Sequence, residues 1–206
     1  MKALMLNGSP KADGNTARAL KEAGRILEEN GIDYEVFEIG AGPVRDCIGC
    51  RACNESGCVF TDDGVNAFIA KAKEADGLVF GTPVYYAHPS GRILSFLDRV
   101  FYSSPGLFAG KPGFALAVPR RAGATASLDV LGKYFGISGM INVGSTYWNV
   151  VYGRIPGEIV QDEEGMRSIR NASRNLAWVI KLIKLGDENG LARPEPERGL
   201  PTHFIR

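Results

Sequence analysis

The chain has 206 residues, 45% of them hydrophobic, which is enough for one well-buried domain. Its net charge of +1, with Lys and Arg scattered, offers no field to nucleic acid or an anionic membrane surface. No apolar run approaches the roughly 20 residues of a spanning helix. Gly8-Ser9-Pro10 breaks the opening residues too early for a signal peptide, so a cytoplasmic protein is expected.

Lys2–Asn7 is a short apolar run that stops at a Gly-Ser-Pro turn, as a buried parallel strand does. Asn15–Asn30 carries Ala17, Leu20, Ala23, Ile26 and Leu27 at helical spacing, with Gly31 as the stop. Asp33–Ile39 reads as a second strand. A cysteine-rich insertion at 45–62 precedes a helix over Val65–Ala75. A third strand, Gly77–Thr82, is expected to halt at Pro83, with a helix over Leu94–Phe101. Gly113–Val118 is a fourth strand, Thr125–Phe135 a helix, Met140–Trp148 a fifth strand and Ser168–Leu185 the final helix. Pro194, Pro196 and Pro201 keep 187–206 out of regular helix, as a tail lying on the surface or on a partner subunit. The domain itself is expected to span 1–186.

Strands alternating with helices imply right-handed crossovers and a parallel sheet covered on both faces. Five strands suit the doubly wound order 2-1-3-4-5, and a six-stranded dinucleotide-binding sheet competes on periodicity alone. The loop after the first strand, Asn7-Gly8-Ser9-Pro10-Lys11-Ala12-Asp13-Gly14-Asn15-Thr16, leads directly into a helix. Backbone N–H groups, the helix dipole, two hydroxyls and Lys11 make it suitable for a phosphate. A Walker loop would need lysine where Asn15 stands, and the dinucleotide fingerprint needs three glycines where only Gly8 and Gly14 occur. A polar turn without ligand is the bland alternative.

Asn7-Gly8-Ser9-Pro10-Lys11 with Gly14-Asn15-Thr16 resembles the phosphate loop of the NADPH-dependent FMN reductase family, of flavodoxin-like fold. Gly81-Thr82-Pro83-Val84-Tyr85-Tyr86, Pro89-Ser90 and Phe96-Leu97-Asp98-Arg99 agree with it. The resemblance extends from Met1 to about Val118. It implies a three-layer α/β sandwich around a five-stranded parallel sheet. It also implies that Ser9, Lys11, Asn15 and Thr16, with Ala17 in the same set, hold the FMN phosphate. Pro83, Val84, Tyr85 and Tyr86 would line the isoalloxazine; core packing is the alternative for the two tyrosines. Arg120, with Arg121 beside it, faces the same crevice and suits reduced flavin or a nicotinamide donor, or else is a solvated arginine. Asp98 and Arg99 read as a structural ion pair or cap, and His88 as an exposed loop histidine.

All four cysteines (Cys47, Cys50, Cys53, Cys58) fall in one segment, too close together for a disulfide framework and suited to metal binding or redox chemistry. Their spacing resembles the compact motif of iron–sulfur flavoproteins, a branch of the same family, and implies one [4Fe–4S] cluster held by all four thiolates. Structural zinc and plain redox or structural thiols remain open. The function expected is an FMN-dependent oxidoreductase taking hydride from NAD(P)H and passing electrons to an acceptor, with the cluster as a candidate route. A non-enzymatic flavin carrier and a cluster-free FMN reductase are the alternatives. Tyr147, Trp148, Val150, Val151 and Tyr152 suggest an interface, and the family usually forms homodimers or homotetramers.

Overall fold

The computed structural model describes residues 1–197, 199, 200, 202 and 204. The expected tail's Arg198, Pro201, His203, Ile205 and Arg206 therefore lie outside the described residues. Strand β1 (Lys2–Asn7) feeds helix α1 (Asn15–Glu29), then β2 (Asp33–Glu38). An irregular segment joins β2 to α2 (Val65–Glu74), followed by β3 (Gly77–Tyr85), β4 (His88–Pro89) and α3 (Gly91–Ser103). The chain continues through β5 (Pro112–Val118), α4 (Ala124–Ile137), β6 (Ile141–Asn142) and α5 (Glu163–Glu188).

The parallel sheet runs β2-β1-β3-β5-β6, which is the order 2-1-3-4-5 once the short antiparallel β4 is set aside. Strand side chains alternate between two buried faces. Ala3, Met5, Val79, Phe114 and Leu116 pack under α1 and α5, while Leu4, Leu6, Leu78, Phe80 and Ala115 pack under α2, α3 and α4. On the second side Phe80 stacks on Phe135 at 5.0 Å, and Phe37, Phe68 and Phe96 meet largely edge-on. Among the described residues no helix is long and apolar enough to cross a membrane.

Three elements depart from expectation. Strand β3 continues through Pro83 to Tyr85. The Gly81 carbonyl faces β1, where it accepts from Gly8 N–H at 2.8 Å, so the Pro83 nitrogen faces the same way by strand alternation. β1 ends at Asn7, opposite Gly81, and leaves no partner for that missing N–H. The expected fifth strand is split. Ile141–Asn142 pairs with Pro112 and Gly113, residues 144–148 bow outward, and the chain returns to bond Ala117 through Asn149 and Val151. Helix α5 holds the excursion: Asn175 donates to Gly144 O, Asn171 to Thr146 Oγ1, and Ser168 O accepts from Ser145 Oγ. Helix α5 itself starts five residues early, capped by the Asp162 side chain on Gly165 N–H, and runs to Glu188, two residues into the expected tail.

Candidate functional site

The crevice at the carboxyl ends of β1 and β3 is the switch point of this sheet, where crossovers leave in opposite directions. Three loops border it: 8–14 after β1, 86–90 after β3 and 119–123 after β5. The first is tied internally. Asn7 Oδ1 accepts from Ser9 N–H at 3.0 Å, Ser9 Oγ accepts from Lys11 N–H at 3.2 Å, and Asn7 Nδ2 donates to Lys11 O and Glu38 Oε2. It is also bound to its neighbour: Ser90 Oγ donates to Gly8 O at 2.8 Å. The loop's shape is therefore set by its own side chains and by β3 and α3 together.

Helix α1 opens at this loop with Gly14 as N-cap and no capping side chain. The N–H groups of Asn15, Thr16 and Ala17 are thus the orphan donors of a helix start, at its positive end. Ser9 and Thr16 are buried and Lys11 is exposed. The Asn15 side chain is committed elsewhere: it donates to Ile155 O at 2.9 Å and accepts from Gly157 N–H at 2.8 Å, leaving its backbone N–H for an anion. Ala17 offers only its N–H. Although Glu38 is exposed as a residue, partial burial of its carboxyl beside Asn7 pushes its pKa up.

After β3 the chain makes a two-residue hairpin that sequence reasoning missed. Val84 pairs with Pro89 and Tyr85 with His88, while Tyr86 and Ala87 both take left-handed backbone, φ 50° and 61°. Such a turn ordinarily calls for Asn-Gly, so Tyr-Ala carries no recognisable signal and stores backbone strain beside the crevice. The hairpin is braced by the 119–123 loop, where Gly123 sits against Ala87 with no room for a side chain. Pro83 and Val84 are half-buried, and Val84 packs on the cluster of Ala117, Ala124 and Val150. Tyr85 is half-exposed and Tyr86 stands fully in solvent, so neither is a core residue. His88, Arg120 and Arg121 are exposed. The larger cavities lie away from this crevice: one of about 690 Å³ between α4 and the 144–148 excursion, another of about 960 Å³ beside the cysteine segment.

The cysteine segment carries no regular structure beyond a tight bridge between Asn54 and Gly57. It is held from α2 and α3. Asn66 clasps the Cys58 backbone, accepting from its N–H at 2.9 Å and donating to its carbonyl at 2.7 Å. Arg99, a fully buried guanidinium, donates to Cys58 Sγ at 3.3 Å and Phe60 O at 3.1 Å and pairs with the Asp63 carboxylate. Asp98 instead accepts a hydrogen bond from the Tyr134 hydroxyl, so Asp98 and Arg99 take separate partners and do not form an ion pair with each other. Cys58 is buried, Cys47 and Cys53 are half-buried and Cys50 is exposed, yet all four line one small cavity with Phe60, Arg99 and Tyr102. Burial, and then the three neighbouring thiols, push the Cys53 thiol up.

The cavity between the thiols is about 10 Å³, the room of a single water. Among the described residues no three ligating groups stand at metal-binding distances. The donor set nevertheless fits a four-thiolate metal cluster in its chemistry, four cysteines lining one cavity. Cys58 is rigidly mounted by Asn66 and Arg99, and the other three cysteines sit on a segment without ladder bonds of their own. The β1–β3 crevice likewise fits a monophosphate, through orphan N–H groups, buried hydroxyls and an exposed lysine.

The fold and its carboxyl-end loops define a flavodoxin-like protein of the flavin oxidoreductase class, FMN-dependent in its chemistry. Residues 1–154 match the family described as NADPH-dependent FMN reductase, and the chain belongs to that family, in its iron–sulfur flavoprotein branch. An iron–sulfur flavoprotein of Methanocaldococcus jannaschii is 34% identical over 193 residues, covering 89% of this chain and 100% of the relative. One from Methanosarcina thermophila is 28% identical, covering 89% and 97%. Among solved structures, RosB with a bound formylated riboflavin phosphate intermediate superposes with a TM-score of 0.70 at 16% identity, over 100% of this chain and 92% of that one.

Proposed function

We propose that this protein takes hydride from NAD(P)H onto FMN in the β1–β3 crevice and passes electrons onward through a [4Fe–4S] cluster held by Cys47, Cys50, Cys53 and Cys58. The observation that carries the reading is the pairing of a preformed phosphate loop at the sheet's switch point with four thiols gathered on one cavity. When bound, FMN supplies two-electron acceptance and one-electron release, and an iron–sulfur cluster supplies one-electron transfer.

The chain's own residues do the binding and orienting. The N–H groups of Asn15, Thr16 and Ala17, the Ser9 and Thr16 hydroxyls and the Lys11 ammonium hold the phosphate dianion. Pro83 and Val84 give the ring a fixed apolar wall, and Tyr85 and Tyr86 project from a strained hairpin that can close over it. Arg120 places positive charge on the third loop, where a nicotinamide cofactor's phosphates would approach. The relatives' names support the cysteine assignment. We further propose a homodimer or homotetramer: Tyr147, Trp148 and Tyr152 are exposed, whereas Val150 and Val151, expected in the same interface, are buried in their own subunit.

Calorimetric titration of the apoprotein with FMN and FAD, with iron and sulfide analysis of anaerobically purified protein, tests the reading. Tighter FMN binding is expected, with Ser9→Ala and Thr16→Ala each weakening FMN by about 1–2 kcal/mol. Preference for FAD, or unchanged FMN affinity in both variants, would move the phosphate elsewhere. About four irons per chain are expected. Iron-free protein after reconstitution would remove the cluster and leave a thiol loop beside an FMN site.

A further inference from the structure

Helix α3 sends two arginines, seven residues or two turns apart and hence on one face, into the cysteine segment. Arg92 holds its entrance, donating to Gly40 O at 2.7 Å and Gly42 O at 2.8 Å. Arg99 holds its exit. The Arg99 guanidinium is 1% exposed and lies over the Phe60 ring at 5.5 Å. Its donors go to the segment: Nε to Cys58 Sγ, one terminal nitrogen to Phe60 O, and the other to the Asp63 carboxylate and, at 3.5 Å, Arg45 O.

Holding the Phe60 and Arg45 carbonyls would not by itself require this side chain. Burying a guanidinium takes a full charge out of water, and the carbonyls it binds could be met by a neutral donor. A charge is useful where the partner is itself charged. Four thiolates around iron form a net anion that gains one further negative charge on reduction. A fixed cation and an N–H···S bond favour the reduced form, while a carboxylate on the far side of that cation works against it.

We infer that Arg99 is the positioning and potential-setting residue of the cysteine site. It seats Cys58 as the fixed ligand and raises the reduction potential through its Nε–H···Sγ bond and its charge, with Asp63 moderating that charge. The inference rests on the four-cysteine cluster reading of the preceding section. It adds that the potential is set from outside the ligand set, by one arginine and its counter-ion.

The test uses the full-length, anaerobically reconstituted protein and Arg99→Met, Arg99→Lys and Asp63→Asn variants. Iron and sulfide are measured first, and the cluster's midpoint potential is then read by dye-mediated titration monitored by electron paramagnetic resonance. Arg99→Met should raise the oxidised-to-reduced ratio at fixed potential about tenfold, a fall of about 59 mV for a one-electron couple. Arg99→Lys, which keeps the charge and loses the fork, should shift the same way by less. Asp63→Asn should shift it the opposite way. Opposite signs from the two partners cannot come from a loosened loop, and Arg99→Lys with Asp63→Asn carry the test if Arg99→Met fails to fold. Normal iron content with unmoved potentials, or with both partners shifting the same way, overturns this inference and leaves the cluster standing. Iron-free wild-type protein overturns the cluster and this inference with it.

Discussion

Gly8 is a tightly packed point of the β1–β3 crevice, and adding one methyl group there tests whether the phosphate loop is built as described. An alanine Cβ at this position would lie 2.8 Å from Ile93 Cδ1 and 2.9 Å from Gly81 O. The isoleucine tip can rotate, but the carbonyl belongs to the central strand and cannot. The loop must therefore lift away from β3. That movement strains two hydrogen bonds, Gly8 N–H to Gly81 O and Ser90 Oγ–H to Gly8 O, both 2.8 Å. Each is worth about 1 kcal/mol net, and overpacking adds about 1–3 kcal/mol. Since these losses overlap, Gly8→Ala should cost about 2–4 kcal/mol, roughly 5–15 °C in Tm for a chain of this size. Displacing Ser9 and the start of α1 should also weaken FMN by at least about tenfold, or ~1.4 kcal/mol. Urea unfolding of the apoprotein and calorimetric FMN titration give the two numbers. Stability within about 0.5 kcal/mol of wild type, with unchanged FMN affinity, would refute the close packing of loop, strand and helix.

Gly136 is the opposite case. It lies within α4 with open space around its missing Cβ, so Gly136→Ala should stabilise by about 0.5–1 kcal/mol in the same urea assay. Glu38 gives a pH dependence. Its folded pKa lies above the ordinary value of 4.5, so the folded state binds the proton more readily than the unfolded state. Its contribution is then most favourable at low pH and declines as pH rises from 4.5 through the raised folded value. Glu38→Gln should flatten that slope in thermal melts and lessen the weakening of FMN binding with rising pH, because a carboxylate near the loop opposes a phosphate dianion. Light scattering at micromolar concentration should give at least twice the chain mass of 22.2 kDa, and Trp148→Glu should lower it.

The doubly wound sheet was legible because buried parallel strands read as apolar runs and every helix but the last was bounded close to its observed ends. Where the reading failed, the cause was nonlocal. Pro83 is tolerated within β3 because β1 happens to end opposite Gly81. The 144–148 excursion leaves the ladder because two side chains and one carbonyl of α5, distant in sequence, take up its hydrogen bonds. The early start of α5 was visible in principle, since Asp162-Glu163-Glu164 is an N-cap followed by an acidic first turn. The site was legible as loops more than as contacts. Sequence placed Asn15 at the phosphate loop, but only the fold shows its amide turned to Ile155 and Gly157. Arg99 was readable as half of a structural pair, yet its partner Asp63 lies 36 positions away and Cys58 41.

The most direct test of the FMN oxidoreductase account is the visible spectrum of anaerobically purified, FMN-loaded protein during titration with NADPH and, separately, NADH. The expected result is bleaching of the bound flavin band by about one equivalent of one nicotinamide, with the broad iron–sulfur absorption falling as roughly a further half-equivalent supplies the cluster's one electron. A flavin band that neither nucleotide bleaches would contradict the account.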